Sequence, residues 1–462
     1  MKKGQIYQGV AGEIRFPNRT IVTTDEGEEC IVANALPGQR VEFRVERVRG
    51  QRREGRLLSV IENSEIETVK DVCPHFGKCG GCLYQSVPYI QQLRFKEFQV
   101  RQLLNEVCED YKWEGIKASP VQEAYRNKME FSFGNEEKDG PLTLGLHRRG
   151  GYYDIVPVND CKIVDDDFHN ILIFTTMFFR AQGTSFYHKL THKGYLRHLL
   201  VRKGLKTGEI MVALVTTSQE EVDLSGYVNT LLSLSTDGTI VSILHMQNDL
   251  EADMVQSQKT TVLYGQDFIT EELFDLRFKI TPFSFFQTNT AGAEVLYDTV
   301  RGYLGTTREQ DVFDLYSGTG TIAQVLAPAA KSVIGVEIVE EAVLAARENA
   351  AANGLDNCKF LCGDVLKVID EITEKPDLIV LDPPREGINP KALSKIIAFD
   401  VDRICYISCK PTSLQRDLVT LLQAGYRIQR ACAVDMFPGT QNVEVIALLD
   451  KQDRASFMPD ED

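Results

Sequence analysis

The segment Asp311-Val-Phe-Asp-Leu-Tyr-Ser-Gly-Thr-Gly-Thr-Ile-Ala323 constrains this chain more than any other. An apolar, strand-forming run delivers the backbone into Gly318 and Gly320, and a helix-forming run through Ala327 follows. This order predicts the first strand, loop and helix of a nucleotide-binding βαβ unit, hence an α/β protein with a Rossmann-like sheet. Gly-x-Gly-x-x-Ala alone leaves the ligand open, because the same loop serves dinucleotides and S-adenosylmethionine.

The following strands narrow the choice. Ser332-Val-Ile-Gly-Val-Glu-Ile338 carries Glu337 at its end, where a carboxylate accepts both hydroxyl hydrogens of a ribose. Cys358-Lys-Phe-Leu-Cys-Gly-Asp364 puts Asp364 where methyltransferases of this fold hold the adenine. Asp377-Leu-Ile-Val-Leu-Asp-Pro-Pro-Arg385 ends in a rigid Asp-Pro-Pro turn, and Arg403-Ile-Cys-Tyr-Ile-Ser-Cys-Lys-Pro411 ends in a cysteine. Both chemical signals fall at carboxyl ends of strands, where open α/β sheets bind ligands.

Residues 4–60 alternate in short runs broken by Gly, Pro and Asn, the pattern of a small OB-like β barrel. Cys73-Pro-His-Phe-Gly-Lys-Cys79-Gly-Gly-Cys82 then sets three thiols among glycines, with Cys161 far downstream. Four thiolates suit zinc or an iron–sulfur cluster equally, and His75 is a rival zinc ligand. With eleven cysteines and no secretory signal, a disulfide framework is not expected. No apolar run approaches a membrane span and the start lacks a signal-peptide core, so the expectation is a cytoplasmic protein. Pro88–Val107 has the apolar spacing of a helix, with Lys96 the exception on its apolar face. Strands such as Lys128–Phe133 and Ile210–Val215 predict a β-rich central region.

A net charge of -15 argues against a polyanion partner, but its distribution matters more than the sum. Between Arg40 and Arg56 seven arginines face three glutamates, and Phe186–Lys206 holds Lys189, Lys193, Arg197, Arg202, Lys203 and Lys206 without an acid. Two such runs favour RNA over a merely solvated face.

Asp314-Leu-Tyr-Ser-Gly-Thr-Gly320, Leu381-Asp-Pro-Pro-Arg385, Ile407-Ser-Cys-Lys-Pro411 and Asp435-Met-Phe-Pro-Gly-Thr-Gln-Asn-Val-Glu444, in that order, resemble the RNA 5-methyluridine methyltransferases. The likeness is strongest over the last third and reaches nearly the whole chain through the cysteines. It implies S-adenosylmethionine as methyl donor, touched by Gln287, Tyr316, Gly318, Glu337, Asp364 and Asp382, with Cys409 as nucleophile and Glu444 as base. The chemistry fits those residue types: uracil C5 is a poor nucleophile until a thiolate adds at C6, and a base must later remove the C5 proton. Ser408, Lys410 and Pro411 frame Cys409, and Lys410 is expected to lower its thiol pKa. Arg385 is expected to meet the enolate oxygen or a phosphate.

The same likeness selects a [4Fe-4S] cluster on Cys73, Cys79, Cys82 and Cys161. Leu36-Pro-Gly-Gln-Arg-Val-Glu-Phe43 resembles the RNA-binding TRAM barrel. Barrel and cysteines together resemble the 23S ribosomal-RNA members, with transfer RNA as the alternative substrate. The implied organisation is a TRAM-like barrel over 1–61, a central RNA-binding domain with the cluster over 62–275, a methyltransferase domain over 276–450 and an acidic tail over 451–462. The helix at 88–110 would pack on the catalytic domain of a monomer acting on a splayed-out uridine. Three other readings compete. An amino methyltransferase would place an aromatic after the two prolines, where Arg385 stands. A silent RNA-binding iron–sulfur protein needs neither Cys409 nor Glu444. NAD-dependent oxidoreduction leaves Asp-Pro-Pro-Arg and Ser-Cys-Lys-Pro without a task.

Overall fold

A computed structural model describes residues 1–452 apart from 152, 371, 373 and 374, so the acidic tail from 453 on lies outside the described residues. The chain forms two compact units, one of Met1–Val72, Leu83–Ser119 and the part from Asp377 on, the other of Cys73–Cys82 and Pro120–Pro376. Among the described residues no helix is long and apolar enough to cross a membrane.

The first unit begins with a closed barrel whose strands run Ile6–Arg15, Arg19–Thr24, Glu29–Ala33, Arg52–Glu62, Arg40–Arg49 around its wall. Strand alternation sends Val22, Val32, Val41 and Phe43 inward, all with no exposed area, and polar residues outward. The last two strands form a hairpin that closes at Arg49 and Arg52. There Arg52 pairs with Glu54 at 2.9 Å and Arg53 with Glu28 at 3.2 Å. Such exposed pairs stabilise by only about 0–1 kcal/mol.

The helix Tyr89–Asn105 starts after Pro88 and buries Leu93, Val100 and Leu104. Lys96, the misfit on its apolar face, is 1% exposed and meets the fully buried Asp435 at 2.6 Å. Removing one partner of a buried pair leaves an unpaired charge and costs about 3–5 kcal/mol. The unit's sheet sets Leu378–Leu381 parallel to Arg403–Ser408. The strand Arg403–Ser408 runs antiparallel to Glu444–Lys451, which pairs in turn with Tyr426–Val434.

The second unit contains a seven-stranded sheet in which Leu196–Lys203 lies between Glu209–Thr216 and Lys128–Gly134. It also holds the parallel strands Thr307–Leu315, Ala330–Glu337 and Cys358–Cys362.

This architecture corrects the reading of Phe186–Lys206 as a basic surface. Leu196–Lys203 is an interior strand, and Arg197 and Arg202 are each 3% exposed. Arg197 donates to the carbonyls of Asn248, Leu250 and Ala252 at 2.6–2.7 Å, and Arg202 to those of Pro282 and Ser284. Lys203 pairs with Asp165 and Asp167, Lys189 with Asp253 and Lys206 with Glu294. Arg197, Arg202, Lys189 and Lys203 thus satisfy carbonyls and carboxylates of the fold rather than facing a phosphate chain, whereas Lys193 and Lys206 are exposed. Burial pushes the Arg202 guanidinium down to about 10.

Candidate active site

In the second unit the parallel strands end together. Leu315 pairs with Val336, and Glu337 with Cys362, so the loops after these strands share one rim. Tyr316, Gly318 and Gly320 take positive φ of 70°, 54° and 74°. That curl lets the amides of Tyr316 and Ser317 both donate to the Val336 carbonyl at 3.0 Å. The two glycines do different work. A Cβ on Gly320 would lie 2.4 Å from the Phe360 ring, so this glycine permits helix-to-strand packing. A Cβ on Gly318 would find nothing closer than the Phe285 ring at 3.9 Å, so the backbone there is open to a ligand.

Glu337 accepts the amides of Gly318 and Val339, each at 3.0 Å, and keeps further lone pairs for ribose hydroxyls. Asp364 caps the helix Val365–Val368 by accepting Leu366 N at 3.0 Å. The Thr319 hydroxyl donates to the Phe285 carbonyl at 2.9 Å, which ties the segment bearing Gln287 to the glycine loop. Gln287 is 7% exposed, and its carbonyl accepts Asn127 Nδ2 at 3.0 Å. An open glycine loop beside a strand-end carboxylate fits S-adenosylmethionine.

In the first unit a second group of side chains gathers. Asp382 follows the strand Leu378–Leu381 and Cys409 follows Arg403–Ser408, two parallel neighbours joined at Leu381 and Tyr406. Ser408 pairs with Val445 in the antiparallel strand, which brings Glu444 to the same end as Cys409. Burial pushes the Glu444 carboxyl up to about 8, helped by the Asp382 charge and opposed by Arg385. Asp382, though only half-buried by area, is raised by burial to about 7.

Cys409 differs from expectation in one respect. Burial and the charges of Glu444 and Asp382 push its thiol up to about 11. The opposing group is Arg385, by charge and by a hydrogen bond to the thiol, and not Lys410, whose exposed residue begins the helix Pro411–Gln423. Composition around the cysteine gave no sign of this, because Arg385 is supplied by a different loop. That loop is pinned by the helix: Ser413 Oγ donates to the Arg385 carbonyl at 2.7 Å, and Asp417 accepts Ile388 N at 2.8 Å and Tyr406 OH at 2.7 Å. Asp417 and Tyr406 carried no signal in the sequence beyond an acid on a helix and an aromatic in a strand.

The four cysteines lie together in the second unit. The Cys73 and Cys161 thiols hydrogen-bond, which lowers the pKa of Cys73 and raises that of Cys161. Cys161 also feels Cys82, and Cys79 feels Cys73. The Arg149 guanidinium donates to the Cys82 carbonyl, Gly80 N donates to the His147 carbonyl at 3.2 Å, and Gly81 N donates to the Cys79 sulfur at 3.4 Å. His75 Nε2 is buried with no hydrogen-bond partner, beside Cys73. Among the described residues, no three His, Cys, Asp or Glu side chains converge tightly enough to hold one metal ion.

The family model for tRNA (uracil-5-)-methyltransferases matches residues 239–452. An uncharacterised RNA methyltransferase of Clostridium tetani is 45% identical, covering 98% of this chain and 99% of its own. One from Caldanaerobacter subterraneus subsp. tengcongensis is 46% identical over 98% of this chain and 100% of its own. Among solved structures, the Pyrococcus abyssi tRNA (uracil-54, C5)-methyltransferase in complex with S-adenosyl-L-homocysteine superposes with a TM-score of 0.75. It is 26% identical and covers 96% of this chain and 100% of its own. The chain is thus an S-adenosylmethionine-dependent RNA methyltransferase that belongs to the RNA (uracil-5-)-methyltransferase family.

Proposed function

We propose that this enzyme methylates uridine C5 in RNA through Cys409 and Glu444. The carrying observation is the convergence of Cys409, Glu444, Asp382 and Arg385 at one end of a single sheet, where Glu444, Asp382 and Arg385 act on the Cys409 thiol and Asp382 and Arg385 on the Glu444 carboxyl. S-adenosylmethionine, held by Gln287, Tyr316, Gly318, Glu337 and Asp364, supplies an electrophilic methyl group. The Cys409 sulfur bonds to C6, which moves the C5–C6 π pair to C5, and that pair takes the methyl as the sulfonium S–CH3 bond breaks and S-adenosylhomocysteine leaves. Glu444 then removes the C5 proton, the pair restores the double bond, and the C6–sulfur bond breaks to release the thiolate. Arg385 assists the first step by favouring the charged form of the thiol.

As substrate we take ribosomal RNA, on the likeness of the barrel and cysteine run to the 23S members. Transfer RNA is the second reading, supported by the name of the Pyrococcus neighbour. Incubating the protein and S-adenosylmethionine with unmodified 23S RNA and tRNA should yield 5-methyluridine, by nucleoside analysis, in the ribosomal RNA. Product in tRNA alone would move the assignment, and product in neither would reject the reading.

In the same reading the barrel is a TRAM-like RNA contact, and Cys73, Cys79, Cys82 and Cys161 hold a [4Fe-4S] cluster. What supports a shared site is that the thiols act on one another, Cys73 with Cys161 and Cys82 with Cys161. Anaerobically purified protein should be brown with about four irons per chain. Replacing Cys82 by serine should bleach it. Colourless protein with one zinc would reject the cluster.

A further inference from the structure

The loop between the strands Tyr426–Val434 and Glu444–Lys451 is held by partners far away in sequence. Val434 is the last residue paired across this hairpin, and its partner is Glu444, so Asp435 lies at the mouth, next in line to the proposed base. Lys96 Nζ reaches Asp435 Oδ1 at 2.6 Å and the Phe437 carbonyl at 3.0 Å. Asp435 Oδ1 also accepts Phe437 N at 3.0 Å. Beyond it, Gln92 Oε1 accepts Gly439 N at 2.8 Å, and the Gly439 carbonyl takes the amides of Leu83 and Tyr84 at 2.8 and 2.9 Å. Lys96 and Asp435 are 1% and 0% exposed.

A pair that only stabilised this unit would be replaceable by apolar residues at no loss, because taking two charges from water offsets most of their attraction. What an ion pair adds is a unique partner, and this hairpin needs one. Side chains alternate between faces along a strand, so a one-residue slip of Glu444–Lys451, which this loop leads into, against Arg403–Ser408 would turn Glu444 away from Cys409 and present Val445. We propose that Lys96 is a positioning residue, whose buried pair with Asp435 fixes the hairpin register that presents Glu444 to the C5 proton. The proposal rests on the reading of Glu444 as base. It assigns to Lys96 no contact with RNA or methyl donor.

The charge-neutral double variant Lys96→Met/Asp435→Asn removes the pair without stranding a charge and keeps an acceptor for Phe437 N. Gln92→Leu, which loosens the same loop at Gly439, is measured alongside and decides the matter if the double variant does not fold. With uridine RNA and S-adenosylmethionine, turnover should fall about 10- to 100-fold, as for a base displaced by about 1 Å. The KM for RNA should stay within about twofold. The signature is a methylated covalent RNA–Cys409 adduct, visible on a denaturing gel, because addition and methyl transfer precede the impaired step. Normal turnover without adduct in a folded variant would overturn the proposal. So would loss of turnover with a raised KM and no adduct, which is plain structural damage. A wild-type protein that makes no 5-methyluridine would instead reject the reading of function, and the two failures are distinct.

Discussion

Cys409→Ala should lower formation of 5-methyluridine on the order of 10^4-fold or more while RNA and S-adenosylmethionine still bind. The expectation rests on the inaccessibility of the thiols in the neighbouring strands as much as on the nucleophile. In the same unit Cys405 and Cys432 have no exposed area, and burial raises the Cys405 thiol far beyond use. The uncatalysed alternative, direct attack of C5 on a methyl donor, lacks the electron pair that thiolate addition places on C5. The Cys409 thiol, pushed up to about 11, stays protonated at rest, which protects it from oxidation and makes its ionisation depend on Arg385. Arg385→Ala should therefore act in the same direction as Cys409→Ala and less strongly. RNA carrying 5-fluorouridine should trap wild-type protein covalently, since fluorine replaces the proton that must leave, and Cys409→Ala should form no such species. A Cys409→Ala protein that still methylates C5 would remove the nucleophile from this assignment.

The parts of this molecule that were legible in the sequence are those whose cause is local. The glycine loop announces itself because glycine suits the curl at Gly318 and the packing at Gly320, and the strand before it ends in the apolar residues Val312, Phe313 and Leu315. The barrel follows from alternation and turn residues, although its last hairpin runs longer than the pattern implied, over Arg40–Arg49 and Arg52–Glu62. What misled was charge. Arg197 looks like any cation on a basic run until the carbonyls of Asn248, Leu250 and Ala252 are brought to it from about fifty residues away. Lys96 spoils a clean helical face for the same reason, since its partner Asp435 lies 339 residues downstream. The thiol of Cys409 reversed its expected shift because desolvation, a property of the folded site, outweighs any neighbour in sequence. Local pattern reports backbone conformation well, and it reports the partners of a charge only when they too are local.

Glu444→Gln should impair the reaction two steps later than Cys409→Ala, after addition and methyl transfer, and the two variants together order the mechanism. Glutamine keeps the shape of the side chain and cannot take a proton, so addition and methyl transfer proceed and the methylated adduct accumulates. Turnover should fall about 10^2- to 10^4-fold, the range for loss of a general base. In the wild type the base must be ionised, and burial raises its pKa from 4.5 to about 8, so the proton-removal rate should climb with pH up to about 8 and then level. Stability should run the opposite way. Between pH 4.5 and about 8 the folded protein keeps this proton while the unfolded chain loses it, so the folded state binds more protons and stability falls as pH rises through that window. Asp382, raised from 3.8 to about 7, adds to the same loss over its own interval. Glutamine carries no charge to bury, so the variant should melt above the wild type at pH 8, and the gap should close towards pH 4, where wild-type Glu444 is protonated in both states. An adduct-free variant would displace Glu444 as the base. A melting difference that does not vary with pH would mean that its carboxyl is not held protonated by burial, and that the site is wetter and its base more readily ionised than this structure describes.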